Sequence, residues 1–203
     1  MGTSPSMGKE VSSPLTAGVA GRKEQFLSKE NWETLDPMRL VATVPIRTYH
    51  TIADLWCGKG YFTLPFAKYL FDGKVYALDP SPEHLEALRA QLQAVHLTNV
   101  EVVQSASLMP PLKPESVDGV LLFLVLTEVA DKEGLLREAA QVIRRGGWAA
   151  VLEWQKREGQ KDGPPLEERL SEDEVLALAQ KVGFRASERR DVSSRHYLLI
   201  LRK

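Results

Sequence analysis

Ile52-Ala53-Asp54-Leu55-Trp56-Cys57-Gly58-Lys59-Gly60-Tyr61-Phe62-Thr63 decides the fold of this chain. A short apolar run carrying one carboxylate meets two glycines two positions apart, and helical spacing resumes beyond them. A strand passing through a glycine turn into a helix is the first strand-to-helix turn of a nucleotide-type fold. The glycines let the backbone approach a ligand closely, and the N–H groups that open the helix have no intrahelical partners. Asp54, at the strand end, offers a carboxylate to a ligand ammonium. A dinucleotide fingerprint needs a third small residue after Gly58 and Gly60, and Thr63 stands there instead, which weighs against NAD. A second acid, Asp79, ends the run Val75-Tyr76-Ala77-Leu78-Asp79 and follows Gly60 by 19 residues, the interval of a ribose-binding carboxylate.

Outward from this turn the chain alternates short β-rich runs with helical ones, the pattern of an α/β parallel sheet with helices on both faces. Strands are predicted over residues 51–55, 74–79, 100–104, 117–126, 147–154, 184–191 and 197–202. One helix opens at Ser81 as N-cap with Pro82 behind it, and carries Leu85, Leu88, Leu92 and Val95 on one face. A second is predicted over 133–145. A third begins at the capping box of Ser171 and Glu174, carries Val175, Leu178, Ala179 and Val182, and stops at Gly183. Too few residues separate the last two strands for a helix, so they form an antiparallel hairpin. Residues 21–50 read as a helical leader, broken at Pro37 and closed by Pro45. Residues 1–20, rich in Ser, Thr, Gly and Pro and lacking aromatics, read as a disordered tail.

Composition narrows the function. The 203 residues are 43% hydrophobic and carry 26 basic against 27 acidic side chains, so a single globular domain over 21–203 is expected and nucleic acid is not the expected partner. The longest apolar run, 120–126, is far short of the roughly 20 residues that cross a bilayer. No apolar segment follows a basic start, so no signal peptide is expected. The single cysteine, Cys57, excludes an internal disulfide framework and cysteine-rich zinc sets, and fits a cytoplasmic setting. No metal site is read from the sequence, and nothing in it specifies an oligomeric state.

In order and spacing these runs resemble the class I S-adenosylmethionine (SAM)-dependent methyltransferases over residues 51–203. Asp54-Leu55-Trp56-Cys57-Gly58-Lys59-Gly60 is similar to the family's Asp-x-Gly-x-Gly-x-Gly loop, Asp79 to its ribose acid, and Val117-Asp118-Gly119-Val120 to its fourth strand. Leu136-Arg137-Glu138-Ala139-Ala140-Gln141-Val142-Ile143-Arg144-Arg145-Gly146-Gly147 resembles the run that precedes its fifth strand. The stretch from Gly163 to Ser171, with His196-Tyr197, further resembles a small branch near the UbiE-like quinone methyltransferases. The resemblance implies a Rossmann-like, seven-stranded, mostly parallel sheet with its last strand antiparallel, and SAM as cofactor. It implies that Asp54 holds the methionine ammonium, that Gly58 and Gly60, with Cys57 and Tyr61 in the same loop, line the methionine part, and that Asp79 binds the ribose hydroxyls. Pro80 and Ser81 would flank ribose and adenine.

Two positions depart from the family pattern. Trp56 stands where the first glycine is usual, and three readings follow: the indole points away into the leader segment, partly fills the pocket, or stacks on the sulfonium cation. Ser105 or Ala106 occupies the place of the aspartate that meets the adenine amino group, a loss worth roughly 1.5 to 3 kcal/mol if nothing replaces it.

On the acceptor side, methyl transfer is a direct displacement that depends mostly on alignment in a water-poor site. Glu128, after the fourth strand, is the candidate base where the acceptor must lose a proton. Glu153 and Trp154, at the end of the fifth strand, are candidate acceptor contacts, and Arg169 is a candidate partner for an anionic acceptor. His196 is read as a base or a structural residue, and the loop around Pro164-Pro165 as a lid or a passive linker. The expected function is methyl transfer to a small molecule. The alternative, motivated by Trp56 and the missing adenine carboxylate, is a degenerate methyltransferase fold that binds SAM weakly or not at all and acts through partners.

Overall fold

The computed structural model describes residues 35–107, 109, 111–160 and 162–203, and across them the predicted alternation becomes one mixed sheet. Helix α1 (Pro37–Thr43) leads to β1 (Thr51–Leu55), α2 (Thr63–Tyr69), β2 (Lys74–Asp79), α3 (Pro82–Ala94) and β3 (Val100–Gln104). Then follow β4 (Val117–Phe123), α4 (Lys132–Val142), β5 (Ile143–Trp154), α5 (Glu172–Lys181), β6 (Arg185–Asp191) and β7 (His196–Arg202). The strand order is β3-β2-β1-β4-β5-β7-β6. The first five strands are parallel, and β7 inserts antiparallel between β5 and β6, so the expected seven-stranded sheet and terminal hairpin are both present. The chain order reverses between β1 and β4, which opens a crevice above their carboxyl ends.

Period-two alternation sorts the central strands onto two cores. Val120, Leu122, Ala149 and Val151 pack with Leu136, Ala139 and Val175 of α4 and α5. Leu121, Phe123, Ala150 and Leu152 face the other way, onto Leu40 of α1 and Phe66 of α2. Phe66 is fully buried, which stabilises the fold by about 1.5 to 3 kcal/mol relative to exposure.

Several boundaries move from their expected places, each for a local reason. Helix α1 begins at Pro37 instead of breaking there: Asp36 caps it by accepting from the Met38 N–H at 2.9 Å, and proline needs no N–H at the first helical position. Helix α3 ends at Ala94, leaving Val95 as an exposed C-cap instead of a core residue. Strand β4 stops at Phe123 because Leu124 turns to φ +56°. Helix α4 ends at Val142, three residues early: Ile143 is already extended and pairs with Val117, so β5 starts there. The caps at Ser81 and Ser171 and the stop at Gly183 (φ +95°) fall where predicted. The tail over 1–20 and the leader up to residue 34 lie outside the described residues.

Candidate cofactor and acceptor site

The glycine turn and Asp79 are tied together across neighbouring strand ends. Gly58 and Gly60 take φ +56° and +91°, conformations that side chains disfavour. The Gly58 N–H thereby points at Asp79 and donates to its Oδ2 at 2.9 Å. The other oxygen, Oδ1, accepts from the Ser81 N–H at 2.9 Å and lies 3.1 Å from His84 Nδ1. Three groups from the turn and the first turn of α3 therefore fix the orientation of one carboxylate at the end of β2. Below the turn, Asp54 is fully buried and its Oδ2 accepts from the Thr63 hydroxyl at 2.7 Å. Thr63, the residue that breaks the dinucleotide fingerprint, thus holds the rotamer of the first acid.

Trp56 sits at φ +59°, in the left-handed region where a non-glycine residue costs roughly 1 to 2 kcal/mol. Its indole is 5% exposed, packs in the core that contains Leu112 and Leu126, and donates from Nε1 to the Ala106 carbonyl at 3.0 Å. The indole packs, though among the described residues not into the leader segment as the first reading has it: the ring staples the glycine turn to the loop after β3. Within that loop, Ser105 donates its hydroxyl to the Ser107 carbonyl at 2.8 Å, and Ser107 bonds Glu138 of α4 at 2.7 Å. Cys57 packs with Leu85, Leu88 and Leu92 of α3. Tyr61 donates to the Leu35 carbonyl at 2.7 Å, tying the turn to the segment before α1. Pro80 accepts from the Gln104 side chain at 3.3 Å.

The candidate acceptor-side residues gather at the ends of β4 and β5 and the start of β7. Glu153 is fully buried and clasps Thr127, taking its hydroxyl at 2.7 Å and its N–H at 3.3 Å, and Glu128 follows in the same turn, partly exposed. Trp154 lies against the His196 ring, with centroids 4.1 Å apart. Gly163, at φ +84°, rests on the other part of its indole, where a Cβ would come within 2.7 Å. Arg169 is 2% exposed, and its guanidinium donates to the carbonyls of Pro164, Gln155 and Asp162 and to the Gln160 side chain. The arginine read as an acceptor partner is therefore the clamp of the 155–169 loop. His196 is fully buried and held near pKa 3, first by burial and then by Arg195 and Arg169, so it is neutral at pH 7. His84, Thr127 and Glu138 carry no role in the sequence reading, and Thr63 enters it only as the residue that breaks the dinucleotide fingerprint. Only His84, three residues after an N-cap that follows the ribose acid, carried a local signal.

The geometry has counterparts. The methyltransferase domain family matches residues 53–151. A ubiquinone/menaquinone biosynthesis C-methyltransferase of Enterobacter sp. is 32% identical over 113 residues, covering 55% of this chain and 45% of that protein. A demethylmenaquinone methyltransferase of Bacillus mycoides is 31% identical over 101 residues, covering 49% and 43%. The chain thus spans less than half the length of these curated relatives. A crystal structure of a SAM-dependent methyltransferase from Aquifex aeolicus superposes with a TM-score of 0.79 at 26% identity, covering 88% of this chain and 95% of that one. The [4+2]-cyclase SpnF shares the fold, with a TM-score of 0.72 at 18% identity, over 82% of this chain and 80% of its own.

Proposed function

We propose that this chain, which matches the methyltransferase domain family over residues 53–151, is a class I SAM-dependent methyltransferase that transfers a methyl group from SAM to a small-molecule acceptor. The observation that carries the reading is the Asp79 carboxylate, held by Gly58, Ser81 and His84 at the end of β2 beside a glycine turn. That donor set suits the group: an oriented carboxylate for two vicinal hydroxyls, and a second acid, Asp54, beneath the turn for an ammonium. When bound, SAM supplies an electrophilic methyl on a sulfonium sulfur. Gly58 and Gly60 line its amino-acid part, and Pro80 and Ser81 flank the ribose. The adenine edge would lie by Ser105 and Ala106, where no carboxylate stands and where the Ala106 carbonyl already accepts from Trp56.

The acceptor-side residues align and desolvate. Glu153 fixes the turn after β4 through Thr127, which sets Glu128 at the crevice as the base that takes a proton where the acceptor releases one. Trp154 builds the apolar wall, and Arg169 shapes the loop that covers it. A small acceptor agrees with the near-neutral charge of the chain and with the quinone-biosynthesis names of its relatives. The single thiol, buried at Cys57, agrees with a reducing cytoplasm. No helix among the described residues is long and apolar enough to cross a membrane.

The test is calorimetric titration with SAM, S-adenosylhomocysteine and NAD. Saturable binding of the first two and not the third is expected, with Asp79→Ala weakening SAM by about a hundredfold. Preference for NAD, or equal SAM affinity in wild type and Asp79→Ala, overturns the reading.

A further inference from the structure

At the opposite end of the sheet from the glycine turn, a cavity of about 670 Å³ lies under α1 and its following loop, against the starts of β4 and β5 and the end of β7. Five cationic or imidazole side chains line it: Arg47, His50, Arg144, Arg145 and Arg202. Its two acids are already committed. Asp118 takes the Arg144 guanidinium at 2.8 Å and the Thr51 N–H at 2.7 Å, and Glu188 takes Arg190 at 2.6 Å. Arg47, Arg145 and Arg202 make no side-chain hydrogen bond or ion pair among the described residues. Three uncommitted guanidiniums around one concavity, in a chain whose net charge is -1, are a local concentration of positive charge that the composition does not foreshadow.

Two further donors face the same volume or border it. His50 Nδ1 accepts from the Arg47 N–H at 3.3 Å, which puts its own proton on Nε2. Burial holds that ring below its ordinary pKa, with Asp118 opposing and Arg47, Arg144 and Arg202 adding to the lowering. Trp148, a lining residue 1% exposed, keeps its buried indole N–H without a partner among the described residues. The two exposed or half-exposed rings at the rim, Tyr49 and Tyr69, add flat apolar surface. A cavity of this size falls within the range of small-ligand sites, roughly 300 to 1,000 Å³.

We propose that this cavity is a second binding site, for a phosphate-bearing anion, with Arg47, Arg145 and Arg202 as its counter-charges. Guanidinium groups bind phosphate oxygens through paired, charge-assisted hydrogen bonds, and several converging on one volume distinguish a phosphate from a single carboxylate. The phosphate belongs either to a soluble metabolite or to a lipid headgroup, and the chemistry of capture is the same. The site does not depend on the methyl-transfer reading, because it uses no residue of the glycine turn or of the carboxyl ends of β4 and β5.

The experiment titrates the full chain with inorganic pyrophosphate at constant ionic strength, and separately co-sediments it with phosphatidylglycerol and with phosphatidylcholine vesicles. The glutamine triple variant Arg47→Gln/Arg145→Gln/Arg202→Gln is compared with Lys113→Gln/Arg137→Gln/Lys181→Gln, which removes equal charge from other surfaces. Saturable pyrophosphate binding that falls about tenfold or more in the first triple and not in the second supports a soluble phosphate. Sedimentation with phosphatidylglycerol only, lost in the first triple alone, supports a headgroup. Absence of both signals in the wild type, or equal loss in both triples, overturns the proposal. SAM affinity, measured alongside, stays unchanged in the first triple, so failure here and failure of the methyltransferase reading are separable.

Discussion

The two halves of the crevice are built by different means. Around β1 and β2, backbone N–H groups and left-handed turns do the work: the Gly58 N–H and the Ser81 N–H aim at Asp79, and the geometry is set within a few residues of each strand end. Around β4, β5 and β7, long side chains reach across elements: Glu153 to Thr127, Trp154 to His196, and Arg169 to its loop. The first half is therefore shaped by main-chain groups close to its strand ends, and the second by side chains that brace separate elements. Mutations of the Asp79 cradle are expected to change affinity at nearly constant stability, mutations in the second half to change stability at nearly constant SAM affinity, and Trp56, a core side chain within the first half, tests where the division falls.

The largest stability effect is expected from Trp154→Ala. It removes a ring that His196, Gly163 and Arg169 all rest on, and should cost about 4 kcal/mol in chemical denaturation while leaving SAM affinity within about twofold. A large loss of SAM affinity in protein that is still folded would merge the two halves into one unit. Next comes acidification. His196 has a folded pKa near 3 against an ordinary 6.5, so the unfolded chain binds the extra proton between those values. Stability is then fully present above pH 6.5 and is lost as pH falls toward 3, on the order of 3 kcal/mol by pH 4. Denaturation curves of wild type and His196→Gln should converge in that window, and parallel pH profiles would remove the histidine from the account. The smallest effect is expected for Trp56→Gly, where losing a buried indole is partly offset by relief of the left-handed strain, for a net cost of about 2 kcal/mol. Its SAM affinity separates the two roles. Little change agrees with an indole that only staples the loops, whereas binding seen in the glycine variant alone means that the ring closes the site.

How much of this was legible follows from the same division. Asp54, Gly58, Gly60 and Asp79 announce themselves because glycine at a left-handed turn and an acid at a strand end are local requirements, visible at fixed spacing. Trp56 was visible as an exception, but its hydrogen bond to Ala106, 50 residues away, was not. Thr127, His84 and Glu138 gave little warning, because a threonine or glutamate gains its role only from what the fold sets opposite it. Arg169 shows the limit most plainly: its sequence neighbours suggest a free cation beside a proline loop, and only tertiary packing turns it into a buried clamp. The helix boundary at Val142 moved for the same kind of reason, since pairing of Ile143 with Val117 overrides a locally good helix former.

Arg169 also bears on what holds its loop in place. Three of its four acceptors are main-chain carbonyls, which every amino acid supplies. The path of the loop beside the end of β5 therefore rests on its main chain and one arginine, whichever side chains it carries.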